Sequence, residues 1–267
     1  LQRLQTDYID FYLLHAVNKE KWDAMKELGV VEYCAKLKEE GKIRYYGSSF
    51  HDDYEVFDEI LHYRDWDFCQ IQYNYMDTQE QAGDKGYALA ESLGVPLVIM
   101  EPIKGGSLAN FSEDINDRFH KMDPDRSVAS YALRWVGSHA NVKVILSGMS
   151  TMDQVEDNLK TFQDFSPLSE AEEKEIESIV TELRSRVQNG CTGCRYCMPC
   201  PAGVNIPGNF KVWNNYHMYR TYDHVKWSWE KELKEEEKAK NCIKCGKCET
   251  LCPQKLSIRD NLVQVQK

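Results

Sequence analysis

Eight of the ten cysteines in this 267-residue sequence stand between Cys191 and Cys252, in two runs whose spacing leaves few folds open. The second run reads Cys242-x2-Cys245-x2-Cys248-x3-Cys252-Pro253, the bacterial spacing for a [4Fe-4S] cluster. Three closely spaced thiolates wrap three iron corners of one cubane. The fourth cysteine, carried away by the longer gap and the proline, ligates a neighbouring cluster. The first run reads Cys191-x2-Cys194-x2-Cys197-x2-Cys200-Pro201, one residue shorter in its last gap. That departure leaves Cys200 open between the partner cluster, a local four-thiolate site and an altered loop.

Two other uses of eight cysteines compete. Disulfides across two-residue gaps would close very tight loops, and such density belongs to small secreted folds. Zinc binds paired Cys-x2-Cys knuckles tetrahedrally, but its sites take two close cysteines and then a distant pair, not four in a row followed by proline. The reading adopted is two [4Fe-4S] clusters on Cys191, Cys194, Cys197, Cys200, Cys242, Cys245, Cys248 and Cys252, with zinc as the rival.

Lys plus Arg total 33 against 43 Asp plus Glu, a net charge of -10, so a phosphate backbone is a poor partner and no nucleic acid is expected. The longest apolar runs, such as 95–100, fall far short of the roughly 20 residues a membrane helix needs, so no membrane partner is expected. With 42% hydrophobic and 28% charged residues the chain is neither disordered nor collagen-like. The charge is split: residues 1–188 carry 20 basic and 35 acidic side chains, net -15, while residues 189–267 carry 13 and 8, net +5. Eight thiolates and two oxidised cluster cores would bring that +5 to about +1. Arg195, Lys244, Lys247 and Lys255 therefore read either as compensation for cluster charge or as a solvated basic face. The chain opens on Leu1 rather than Met, which reads as a fragment or processed product. Clusters that air would bleach place it in a reducing cytoplasm.

Upstream of the cysteines, short apolar runs alternate with helical stretches. Residues 8–16, 43–50, 67–75, 95–102 and 142–149 read as buried strands. Residues 30–42, 52–63, 81–94 and 127–141 between them show apolar residues three or four apart and end near Gly or Asn. Strand, helix, strand, helix argues for a parallel sheet with helices outside, because parallel strands need crossover connections. Ser169 and Glu172 form a capping-box pattern opening a further helix. The expected domains are a sheet-and-helix part over 1–165, a linking helix over 166–188 and a small, mostly helical iron-sulfur part over 189–267. Between the two cysteine runs lies an aromatic-rich insert whose Trp and Tyr residues read as packing between helices.

If the sheet closes as a barrel, the C-terminal ends of its strands form the active face. His15 stands at such an end, followed on later strands by Ser48 and Ser49, Gln70 and Asn74, Glu101, Lys104 and Gly105–Gly106, then Ser147 and Gly148. Polar groups recurring at one end of successive strands are what a cofactor-binding rim requires. Each alone is ordinary loop polarity, and a lone histidine is more often structural than catalytic.

At LQRLQTDYIDFYLLHA, GKIRYYGSS, QIQYNYMD, VIMEPIKGGSLA, SVASYALRWV and QVEDN, together with the two cysteine runs, the sequence resembles the aldo/keto reductase family, in particular members fused to a ferredoxin-like tail. The resemblance implies a (β/α)8 TIM barrel of which this chain holds the fourth to eighth strands. It also implies NADPH chemistry and a catalytic tetrad of Asp, Tyr, Lys and His, of which only the histidine has a match, at His15. On this reading the chain as given does not catalyse the reaction. Ser49 and Gln70 match positions that hold the nicotinamide carboxamide, and Pro102, Lys104, Gly105 and Gly106 fall in the loop that clasps the pyrophosphate. Near the adenosine the chain has Gly148, Ser150, Gln154 and Asn158, with no cation to pair a 2'-phosphate, so NADP(H) and NAD(H) both stay open.

The expected function is that of an iron-sulfur oxidoreductase interconverting a small carbonyl and its alcohol. Hydride carries two electrons together while each cluster passes one, so a nicotinamide enzyme does not itself need clusters. A flavin on a partner, an external ferredoxin or flavoprotein, or purely structural clusters would each resolve this. The competing expectation is an electron-transfer or scaffold subunit whose barrel is not catalytic.

Overall fold

The computed structural model describes residues 1–220 and 222–267. Its backbone contacts divide into two compact units, one of residues 1–109 with 126–173 and the other of residues 110–125 with 174–267.

The first unit is built on five strands, β1 (Ile9–Val17), β2 (Ile43–Phe50), β3 (Phe68–Gln72), β4 (Leu97–Met100) and β5 (Val142–Ile145), all parallel and adjacent in chain order. Between them run α1 (Lys19–Glu27), α2 (Val30–Glu39), α3 (Tyr54–Tyr63) and α4 (Gly83–Ser92). The helix-facing side chains, among them Tyr46, Phe50, Ile71, Leu97 and Ile99, form one continuous core with Trp22, Phe57 and Ile60. Gly47 is required where β2 meets β3: a Cβ there would lie 2.5 Å from the Phe68 carbonyl oxygen and 2.8 Å from its ring. On the opposite face Phe11 stacks on Tyr45 at 4.8 Å, yet they are 65% and 47% exposed. With β1 and β5 each paired on one side only among the described residues, the sheet is an arc of a barrel.

All five expected strands form, but three end early. The third stops at Gln72 because Asn74 folds the chain back, its Oδ1 accepting from the Met76 and Asp77 N–H groups at 3.0 Å. The fourth stops at Met100 because Glu101 takes a left-handed φ of 53°. The fifth pairs only as far as Ile145. Helix α1 has no counterpart among the expected helices: it buries the single large apolar side chain Trp22 and relies on Asn18, whose side chain accepts from the Lys21 N–H at 2.9 Å.

In the first unit lie also α6 (Val128–Gly137) and α7 (Met152–Gln163), and the second unit includes α5 (Glu113–Met122). The expected capping box opens α8 (Glu170–Ser185): the Ser169 N–H donates to Glu172 Oε2 at 2.8 Å and the Glu172 N–H to Ser169 Oγ at 3.3 Å. Beyond it come α9 (Ile206–Tyr219), α10 (Tyr222–Trp227), a π-helical turn at Ser228–Glu232, α11 (Lys247–Leu251) and α12 (Ile258–Val265). Val204, Ile206, Phe210, Ala239, Ile258 and Leu262 form a core against which Cys191, Cys197, Cys200, Cys242 and Cys252 pack. Of the aromatic insert, Phe210 belongs to this core and Trp213 packs against it, while Tyr216 and Trp227 are exposed; the side chain of Tyr222 lies outside the described residues.

Candidate functional site

The strand-end rim is assembled by the register of the sheet. Leu14 faces Ser48 across β1–β2 and Ser49 faces Gln70 across β2–β3, so His15, Ser49 and Gln70 stand at the same end of three neighbouring strands. His15 is exposed, and Ala16 beside it takes a left-handed φ of 50°. Gln70 Nε2 donates to Ser49 Oγ at 3.3 Å and lies 3.5 Å from Met100 Sδ. Non-glycine residues held at positive φ recur along this end: Ala16, Gln81, Glu101 and Lys104. Each costs about 1–3 kcal/mol, and such strain collects at functional loops.

Asp77 is the residue that the sequence reading passed over. Only 5% exposed, its carboxylate accepts from Gln72 Nε2 at 2.8 Å, from Asn74 Nδ2 at 3.0 Å and from Lys104 Nζ at 2.6 Å on both oxygens. Asn74 Nδ2 also donates to the Glu101 carbonyl at 3.1 Å. The ends of β3 and β4 are thereby locked together. Lys104, expected to meet a pyrophosphate, is here a half-buried partner of Asp77, while Pro102 is buried and Gly105 and Gly106 lie exposed with φ of 60° and 95°. The density of amide and carboxylate side chains in QIQYNYMD was the available signal.

Across β5, Gly148 is exposed and Gln154 is engaged locally. The Gln154 side chain accepts from the Ser150 N–H at 2.7 Å and completes a capping box with Thr151 at the start of α7. Asn158 Nδ2 donates to Ser147 Oγ at 2.9 Å. These three residues share the β5–α7 corner.

The eight cysteines gather around two small cavities. Cys191, Cys194, Cys197 and Cys252 line one; Cys200, Cys242, Cys245 and Cys248 line the other, with Cys197 and Ile206 bordering both. The last cysteine of each run thus sits with the first three of the other, including Cys200 after its shortened gap. Burial raises the Cys197 thiol, and the neighbouring Cys191, Cys194 and Cys252 sulfurs add to the effect. Burial likewise pushes Cys248 up to about 11, with Glu249 and Cys242 contributing. A bound metal reverses that cost, since a coordinating thiol loses its proton to the cation. Among the described residues no three Cys, His, Asp or Glu side chains close on a single-ion point. Four thiols lining each cavity are the donor set that a [4Fe-4S] cluster takes.

A parallel arc with a polar rim at its strand ends, followed by a helical unit that gathers cysteines four by four, defines a barrel-type protein with an iron-sulfur tail. The profile of the Aldo/keto reductase family matches residues 1–181, and that of the 4Fe-4S dicluster domain matches residues 190–256. The chain belongs to the aldo/keto reductase family and carries a 4Fe-4S dicluster domain after its barrel segment. It is 27% identical to an uncharacterised oxidoreductase of Bacillus subtilis, over 67% of this chain and 62% of that protein. It is 26% identical to the NADH-specific methylglyoxal reductase of Escherichia coli, over 60% of this chain and 56% of that one. An aldo-keto reductase of Bacillus halodurans, solved in its apo form, superposes with a TM-score of 0.55 at 29% identity, covering 66% of this chain and 64% of its own. The chain thus spans less than two thirds of the length of these relatives. No described helix is long and apolar enough to cross a membrane.

Proposed function

We propose that this protein is an iron-sulfur oxidoreductase that interconverts a small carbonyl compound and its alcohol at the C-terminal ends of β1 to β4. The observation that carries the reading is the joining, in one chain, of the His15–Ser49–Gln70 rim with two four-cysteine cavities. On this reading His15 directs its imidazole N–H at the carbonyl oxygen, orients it and disperses the charge that develops there. Gln70 and Ser49 hold the carboxamide of a nicotinamide, and Gly105 and Gly106 let the backbone approach its pyrophosphate. A bound nicotinamide supplies or accepts hydride. The residues Gly148, Ser150 and Gln154 offer no cation for a 2'-phosphate, which favours NAD(H) over NADP(H), in line with the NADH-specific name of the E. coli relative. Cys191, Cys194, Cys197 and Cys252 hold one cluster and Cys200, Cys242, Cys245 and Cys248 the other, supplying one-electron capacity beside the two-electron chemistry of hydride.

The test is turnover of small aldehydes by protein expressed from its whole reading frame, with His15→Ala beside the wild type. Loss of one electrophilic contact lowers turnover by about 10²-fold while the dissociation constant of the nicotinamide barely moves. Unchanged turnover in His15→Ala removes the histidine from the chemistry and favours a barrel that serves as a scaffold.

A further inference from the structure

Each cysteine cavity has one exposed cysteine, Cys194 in the first and Cys245 in the second, where Cys248 is buried. The loop that presents Cys245 carries Ile243, 66% exposed, and the exposed cations Lys244 and Lys247. Neither lysine ammonium has an ion pair among the described residues, although Lys238 and Lys240 a few residues upstream both pair with Glu235. Arg259 lies over the same loop, its guanidinium carbon 3.6 Å from where a Cβ of Gly246 would stand. The neighbouring acid, Glu249, is already held by Arg259 at 2.7 Å. Lys244 and Lys247 thus stand without an ion pair among the described residues, around one exposed apolar side chain and one solvent-facing cysteine. Once both clusters are loaded, residues 189–267 keep a net of about +1 against -15 over residues 1–188, so an acidic protein meets less repulsion at the cysteine-bearing segment.

We infer that the Ile243–Lys247 loop is the docking surface for a small acidic electron-carrier protein, with Lys244 and Lys247 as its electrostatic rim and Ile243 as its apolar contact. The inference rests on the proposed filling of the cavities by [4Fe-4S] clusters and adds the place at which electrons enter or leave. Charged rims of this kind set encounter rate and orientation, and a central apolar side chain excludes water at the contact. A ligand cysteine at the surface brings its cluster within short reach of a docked carrier.

The experiment uses the full chain with its clusters loaded, iron and acid-labile sulfide being measured on every sample. Its probe is an acidic bacterial two-[4Fe-4S] ferredoxin, with poly-L-glutamate as a redox-inert polyanion. Ferredoxin binds, more weakly as salt rises, and Lys244→Glu with Lys247→Glu weakens it by about tenfold or more, with iron and sulfide unchanged. Ile243→Ser weakens it without altering the salt dependence. The control Lys211→Glu with Lys231→Glu, the same change in net charge in the same unit, leaves binding near wild type. Equal weakening by both double variants, equal affinity for poly-L-glutamate, or no binding by iron-loaded protein overturns the docking surface alone. A chain without iron overturns the cluster reading and this inference with it.

Discussion

Replacing Glu172 by glutamine should remove a large share of the stability of the first unit, in a manner that pH can reveal. Arg134 is 2% exposed and its guanidinium donates to both Glu172 oxygens, at 2.6 and 3.1 Å, and to the carbonyls of Ser166 at 2.9 Å and Pro167 at 3.1 Å. Burial by itself raises the Glu172 carboxyl. The Arg134 guanidinium, with the N–H and hydroxyl of Ser169, overcomes it and holds the group at about 2, against an ordinary 4.5. A depressed carboxylate stabilises the fold fully above its unfolded value, and that contribution drains away as pH falls from 4.5 toward 2. The difference corresponds to about 3 kcal/mol at neutral pH. Glu172→Gln also leaves a buried guanidinium without its counter-charge, so the expected loss at pH 7 is about 3–5 kcal/mol. Urea unfolding followed by tryptophan fluorescence, on both chains at each pH, gives the difference with shared acid effects cancelled. It should shrink as the wild-type carboxyl protonates. A loss below about 1 kcal/mol at pH 7, or one that does not change with pH, refutes the reasoning.

Two further outcomes follow from the site. Because Cys200 lines the cavity of the second run and Cys252 that of the first, Cys200→Ala and Cys252→Ala should each perturb a different cluster in electron paramagnetic resonance; loss of the same signal in both contradicts the exchange. Asp77→Asn should destabilise the chain by about 3 kcal/mol or more, since Lys104 loses its carboxylate in a mostly buried setting; a melting temperature unchanged from wild type contradicts the locking of β3 to β4.

The sequence carried the five strands because each buries a short apolar run against helices, as in YIDFYLLHA and VPLVIM. It misjudged their ends, because Asn74 and Glu101 terminate pairing through a side-chain hydrogen bond and a backbone angle that apolar periodicity does not report. Helix α1 was hidden for a related reason: one buried Trp22 in a charged segment makes no periodic stripe, and the helix depends on its Asn18 cap. The cysteine positions were legible from spacing alone, whereas the home of Cys200 was not, since a gap one residue short of the usual pattern has to be resolved by how the loop folds. Asp77 could not be singled out because its importance lies in three partners, of which Lys104 is 27 residues away. The same distance in sequence concealed the pairing that occupies Lys104.

The most direct measurement is iron and acid-labile sulfide per chain in protein purified without air. Two cavities of four cysteines each call for eight iron and eight sulfide, with little zinc. Stoichiometric zinc without labile sulfide would contradict the account at its centre.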